Sequence, residues 1–362
     1  MNTNRTKVGL IFGGNSSEYD ISIMSARNIL NNFDKRLYEI IPIWFTKDGY
    51  LASPEEAYKV LKNPNYNICP KTIKTNLYNI MNLNDFDTID VFFPIIHGYL
   101  GEDGSLQGLF KLLDKPFVGN DVLPSSITMN KEITKILAKE KNIPVAKWIS
   151  ITRDELVNKI NFKKSYEQVS QYLGKDLFVK PVSQGSSVGV RHVVNKQEYE
   201  SALQNAFKYD NQVLVEETIY GTEVEVAILG DSDPIVSGVG QIINAPGTFY
   251  NYENKYGDKS TSILKISPNL DQRIIQKIRS IALNAYHATN CNGMARVDAI
   301  YRKKDNQIFF TEINSLPGFT NNSMYTKLFE QMGFSYSDLI SRLINNAQET
   351  YNNNHILLHD HI

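Results

Sequence analysis

At 362 residues the chain is too long for one small core and suits two or three subdomains; 42% hydrophobic and 21% charged residues make it a globular protein, neither disordered nor fibrous. A formal net charge of -1 provides no general pull toward nucleic acid or an anionic membrane, so any phosphate recognition has to be local. Two isolated cysteines, Cys69 and Cys291, supply neither a disulfide framework nor a thiolate metal site.

The apolar stretch Val8 to Phe12 is too short for a signal peptide or a membrane span, and no later segment spans a bilayer, so the cytoplasm is the expected location. That stretch predicts a short buried strand closed by a glycine turn. Ser16 or Ser17 is then placed to cap a helix with Ile21, Met24 and Ile29 on its apolar face. "FGGNSSE" lacks the G-x-G-x-x-G order of a dinucleotide fingerprint. Tyr38 to Thr46 supplies a second strand. In "DVFFPIIHGYLGEDGSLQG" the apolar run Val91 to Ile96 stops at His97, and two acids follow among Gly98, Gly101 and Gly104. His97 therefore falls at the carboxyl end of a strand, the edge at which open parallel sheets bind ligands. A helix and a short strand follow, and the alternation points to a small parallel α/β domain ending near Val122.

From Leu123 the texture changes. "SSITMNKEITKILAKEKNIPVAKW" predicts a helix with apolar positions Ile133, Ile136 and Leu137, then a proline-marked strand, and Lys159 to Tyr172 is polar and weakly patterned. "DLFVKPVSQGSSVGVRHV" reads as two strands joined by a Gly/Ser loop. Lys180 ends the apolar run, and Gln184 to Gly189 can turn N–H groups and serine hydroxyls toward an anion, although a plain hairpin turn is the alternative and the P-loop order is absent. After Gln212 come strand, turn and strand, with Glu223 and Glu225 on one face.

The segment Gly293 to Gly318 predicts a hairpin turning at Lys304 to Asn306. Arg296 and Asp298 share one strand face, and Glu312 and Asn314 share a face of the partner strand. If the faces coincide, two carboxylates and an amide converge beside a cation, a hard-oxygen set suited to Mg²⁺; a solvated charged face is the alternative. His355, His359 and His361 read as a polar tail rather than a metal cluster, and Trp44 and Trp148 as packing residues.

Taken together, "GGNSSEYDIS", "HGYLGEDGSLQG", "FVKPVSQGSSVGV", "GTFYNYENKY", "ARVDAIY" and "EINSLPGFTNNSM" resemble, in order and interval, the motifs of the D-alanine-D-alanine ligases of the ATP-grasp superfamily. The resemblance runs from about Val8 to Leu343. It implies an α/β protein, with an ATP-grasp fold preceded by a small parallel α/β domain: residues 1–122 as the first-substrate wall, 123–215 as the central subdomain and 216–362 as the C-terminal subdomain with lid loop and metal site. It further implies that Lys131 and Lys180 touch ATP phosphates, with Ser187 in the loop over them, that Glu216, Glu217, Thr218 and Ile219 form the adenine hinge, and that Glu223 meets the ribose. Asp298, Glu312 and Asn314 would hold two Mg²⁺ or Mn²⁺ ions. Glu18 would hold the first D-alanine's ammonium and His97 would lie beside its carboxylate. Arg296 and the N–H of Gly318 would hold the oxyanion. Lys255 and Tyr256 fall on the mobile loop, with Glu18, Ser186 and Tyr256 as a hydrogen-bonded triad, and Ser323 and Met324 would hold the second substrate's carboxylate.

The chain departs from the usual pattern at Tyr19 and Asp20 after Glu18, and at Glu217 and Thr218 in the hinge. The resemblance implies ATP-dependent joining of two D-alanines through an acyl phosphate, in a homodimer, with D-alanine and ATP as partners and neither nucleic acid nor membrane. A D-lactate- or D-serine-joining ligase shares the same machinery, and Tyr256 argues for D-alanine. A catalytically silent nucleotide-binding protein is disfavoured by Arg296, Asp298, Glu312 and Asn314 all being present.

Overall fold

The computed structural model describes residues 5–66, 73–74, 84–157, 165–243 and 263–357. Lys255, Tyr256, Cys69, Lys159, His359 and His361 lie outside the described residues.

The first sheet has the order β4-β3-β2-β1-β5. Its centre is parallel: β1 (Thr6–Gly13) lies between β2 (Tyr38–Phe45) and β5 (Val91–Pro94), and the short β3 (Tyr50–Leu51) and β4 (Ile73–Lys74) add an antiparallel edge. β1 and β5 carry near-continuous apolar runs because helices cover both faces of a parallel sheet. Between β1 and β2 runs α1 (Tyr19–Asn32). Its buried Ser22 accepts from Gly13 N at 2.8 Å and donates to Ile95 O at 2.6 Å, tying the ends of β1 and β5 to the helix. Met24, expected inside, is 48% exposed, while Ile21 and Ile29 are buried. The expected serine cap is also displaced: Glu18 holds the cap position without a side-chain cap bond, and Ser16, two residues earlier, accepts from Glu18 N.

The second sheet is antiparallel, in the order β6 (Trp148–Thr152), β9 (Gln212–Glu217), β7 (Leu177–Pro181), β8 (Arg191–Val193). Its core is its own, built from residues such as Val179, Tyr199, Leu203 and Val215. The third sheet, also antiparallel, runs β12 (Ile263–Ile266), β11 (Ile235–Ile243), β10 (Thr222–Gly230), β13 (Gly293–Arg302), β14 (Gln307–Asn314). One continuous core joins it to the first sheet: Val8 and Phe93 belong to the same apolar cluster as Met294 and Leu339, and the Phe93 and Phe319 rings meet edge to face at 6.0 Å. The second sheet thus stands against a larger body made of the other two, and a cleft opens between them. The expected boundary between residues 215 and 216 falls within β9.

The helical stretch after Leu123 differs from expectation. It is two helices, Val122–Met129 and Lys131–Glu140, broken at Asn130, whose side chain accepts from Glu132 N and Ile133 N. In the second of these, Ile133 and Ile136 are exposed and the buried positions are Lys131, Thr134, Lys135 and Ala138. The helix turns its polar face inward because that face borders the cleft.

Candidate active site

The cleft is walled by Lys131 and Lys135 from the helix Lys131–Glu140, by Phe178 and Lys180 from β7, by Glu216, Glu217 and Ile219 at the end of β9, and by Glu223, Glu225, Asp298, Phe309 and Glu312 from the third sheet. The hairpin register decides the central question of the sequence. Arg296 pairs with Asn314 and Asp298 with Glu312, so the two charged faces coincide. Arg296 donates to both Asp298 oxygens at 2.7 Å, Asn314 donates to the same carboxylate at 3.1 Å, and the buried Glu225 on the neighbouring β10 lies 3.3 Å from Arg296. Among the described residues no three His, Cys, Asp or Glu side chains gather as a metal cage. Two carboxylates and an amide on adjoining strands still fit Mg²⁺ or Mn²⁺, which commonly takes one or two carboxylates and completes its shell with phosphate oxygens.

Opposite this face lies an ion cluster. The Glu216 carboxylate sits between Lys180 Nζ at 2.5 Å and Lys135 Nζ at 2.9 Å. Burial acts to raise the Glu216 pKa, but the two ammoniums hold it below the ordinary carboxylate value. Lys131 donates to Gln184 O at 2.6 Å and stands 3.5 Å from Glu312, which links the Gly/Ser loop to the hairpin. In that loop Ser186 and Ser187 both have positive φ, 49° and 59°, a conformation uncommon outside glycine and held here by turn bonds from Val188 N and Val190 N. Glu217 turns its carboxylate to Lys147 N at 2.8 Å while still lining the cleft, whereas Thr218 does not line it, so of the two departures from the usual motif only Glu217 faces the cleft.

A second cluster lies where α1 and the post-β5 loop meet the Gly/Ser loop. Ser186 donates to the buried Glu18 carboxylate. His97 is buried; its Nδ1 lies 3.1 Å from Leu316 O and its Nε2 3.4 Å from Ser25 Oγ. A carbonyl can only accept, so Nδ1 carries the proton, and burial lowers the ring's pKa and favours this neutral form. The acids after His97 have distinct tasks. Asp103 accepts from Leu100 N and Ser105 N and shapes the turn, whereas Glu102 accepts from Gly98 N at 2.6 Å. Burial, then the nearby Glu18 carboxylate, push the Glu102 pKa up to about 8. Gly101 is required by packing, since a Cβ there would lie 1.8 Å from Ile96 O.

Ser323 precedes the helix Met324–Gln331 and accepts from Thr320 N at 2.9 Å. The Met324 side chain is committed to the core; its N–H, at the first helical position, is what it can offer a carboxylate. A Cβ at Gly318 would approach Ser323 Oγ to 2.9 Å, so the chain there passes close to that hydroxyl.

Residues 7–120 match the family described as D-ala D-ala ligase N-terminus, and residues 137–345 match D-ala D-ala ligase C-terminus. The chain belongs to the D-alanine-D-alanine ligase family. It is 56% identical over 359 residues to the D-alanine--D-alanine ligase of Lactobacillus gasseri, covering 99% of each chain. Among solved structures, the D-alanine-D-alanine ligase of Coxiella burnetii superposes with a TM-score of 0.78 at 32% identity, covering 97% of this chain and 98% of that one. The VanG D-Ala:D-Ser ligase of Enterococcus faecalis gives 0.77 at 32%, covering 95% and 100%. The Bacillus anthracis D-alanine--D-alanine ligase complexed with ATP gives 0.74 at 27%, covering 96% and 99%. The architecture is the ATP-grasp fold of these ligases behind a small, mainly parallel domain. No described helix is long and apolar enough to cross a membrane.

Lys135 and Glu102 were given no role from sequence, and Glu225 was read only as sharing a strand face with Glu223. Lys135 had a signal: it stands one helical turn after Lys131, on the same face. Glu102 and Glu225 had none that separates them from solvated acids.

Proposed function

We propose that the cleft joins two D-alanines with consumption of ATP. The observation that carries this reading is the register of β13 with β14, which sets Arg296, Asp298, Glu312 and Asn314 together across from Lys131 and Lys180. In the first step a carboxylate oxygen of D-alanine attacks the γ-phosphorus of ATP; the new O–P bond forms as the bond to ADP breaks, leaving an acyl phosphate and ADP. In the second, the amine of another D-alanine attacks the acyl carbon, loses a proton, and expels phosphate as the C–N bond forms.

Lys131 and Lys180 offset charge on the transferred phosphoryl group, and the Ser187 loop covers it. Glu216, Glu217 and Ile219 receive the adenine, with Thr218 in the hinge behind them, and Glu223 the ribose. Glu18, held by Ser186, binds the first ammonium beside neutral His97, while Arg296 and Gly318 N offset the oxyanion. Ser323 and Met324 N receive the second carboxylate. Asp298, Glu312 and Asn314 would hold Mg²⁺, which supplies further charge neutralisation at the phosphates. Lys255 and Tyr256 keep their proposed places on the lid, Tyr256 as third member of the triad. The subdomain division above, a homodimer and a cytoplasmic location complete the proposal.

The test measures ADP release with D-alanine alone, then with equimolar D-lactate or D-serine, and identifies products by mass. D-alanyl-D-alanine as the main product supports the reading. Predominant D-alanyl-D-serine would move the chain to the activity named for VanG, and ADP release without a dipeptide would overturn it.

A further inference from the structure

We propose that Lys135 is a positioning residue of the nucleotide site, holding the Glu216 carboxylate so that Lys180 is free to leave it for an incoming phosphate. The inference rests on the nucleotide reading of the cleft.

Three groups share one buried carboxylate region, and they are not equivalent. All three line the cleft, but Lys135 is 1% exposed at its side chain and Glu216 7%, whereas Lys180 is 16% exposed. Two ammoniums and one carboxylate leave a surplus positive charge, and the exposed member is the one able to offer it. An ammonium leaving Glu216 for a phosphate would strand a buried carboxylate, and breaking a buried pair from one side is strongly destabilising. With Lys135 still 2.9 Å from Oε1, the carboxylate keeps a partner and that penalty is not charged against ATP binding. Packing alone does not call for a lysine here. An apolar residue of similar length would fill the space without the desolvation cost, and burial already lowers the Lys135 pKa against the pull of Glu216. Trp148, whose ring lies 5.7 Å from Lys135 Nζ, closes the far side. This also explains the inverted helix Lys131–Glu140: one face delivers Lys131 to the Gly/Ser loop and Lys135 to Glu216, so its isoleucines face solvent.

The experiment titrates the full-length protein with a non-hydrolysable ATP analogue and Mg²⁺ by calorimetry, alongside KM for D-alanine. K135M should weaken nucleotide binding by roughly a hundredfold to a few thousandfold, the range expected when a buried charge loses its partner, and leave KM for D-alanine unchanged. In an E216Q background, where no carboxylate can be stranded, K135M should cost little further affinity. Equal losses in both backgrounds, or unchanged affinity in K135M, would overturn the proposal. Should K135M not fold, K135Q keeps a donor for Glu216 without the charge and is read by the same comparison. K180M separates the two levels of inference: normal nucleotide affinity in K180M would refute the phosphate site itself, whereas loss in K180M with none in K135M refutes only the role of Lys135.

Discussion

Glu102 offers a titration that can be read in stability. Its carboxylate accepts from Gly98 N at 2.6 Å inside the turn after His97, and burial together with the Glu18 carboxylate raises its pKa from 4.5 to about 8. The folded state therefore keeps a proton that the unfolded chain has already released. The stabilisation is fully present below the unfolded pKa and is lost as pH rises through the folded one. Within that window each pH unit removes about 1.4 kcal/mol, so raising pH from about 5.5 to about 7.5 removes roughly 2 to 3 kcal/mol through this group. Glu102→Gln keeps a neutral acceptor for Gly98 N and abolishes the titration. The assay is urea unfolding of both proteins across that range. Groups away from the turn are common to the two, so the difference between their stabilities reports Glu102 together with the Glu18 carboxylate it faces. The variant should gain on the parent by that amount as pH rises. Parallel curves would refute the claim that the turn holds a protonated carboxyl.

Asp298→Asn or Glu312→Gln should lower ADP release by about a hundredfold or more, comparable to losing one strong electrostatic contact in a transition state, with an unchanged circular dichroism spectrum; near-normal turnover would remove the metal-ligand assignment. Gly101→Ala should destabilise the first domain by more than about 3 kcal/mol, because its Cβ would lie 1.8 Å from a backbone carbonyl that cannot swing aside; a normal melting curve would show that the turn relaxes. Cys291 is buried, and burial raises its thiol pKa to about 12, so a thiol reagent should leave it unmodified at pH 8 in the native protein and label it in urea. Rapid native labelling would contradict its placement under the helix Gln272–Ala288.

The hairpin was legible because strand periodicity is strictly two: once Arg296 and Asp298 share a face of one strand and Glu312 and Asn314 a face of its partner, only the register remains open, and the structure supplies it. The parallel β1, β2 and β5 were legible for a similar reason, as continuous apolar runs have few alternatives. The helix Lys131–Glu140 was not. Its isoleucines recur at helical spacing, and the rule that the apolar face points inward gave the wrong side. The displaced cap of α1 belongs to the same class, since Glu18 leaves the helix's own N–H groups in order to meet Ser186.

These misreadings have one cause. Amphipathic patterning assumes that the interior is apolar, and it fails where the interior must hold charge. A buried charge is tolerable only with a partner, and the partners here come from distant parts of the chain: Lys135 with Glu216, Arg296 with Glu225 as well as with its strand neighbour Asp298, and Glu18 with Ser186. Periodicity along one element can therefore reveal Arg296 beside Asp298, two residues apart, but cannot reveal Glu225, which joins them only through the pairing of β10 with β13. Where a helix carries two lysines one turn apart and isoleucines on its other side, the charge deserves equal weight with the hydrophobicity in deciding which face is inside. Applied to Lys131 and Lys135, that weighting orients the helix correctly, and it points to the carboxylate that must exist on the facing strand before the strand is known.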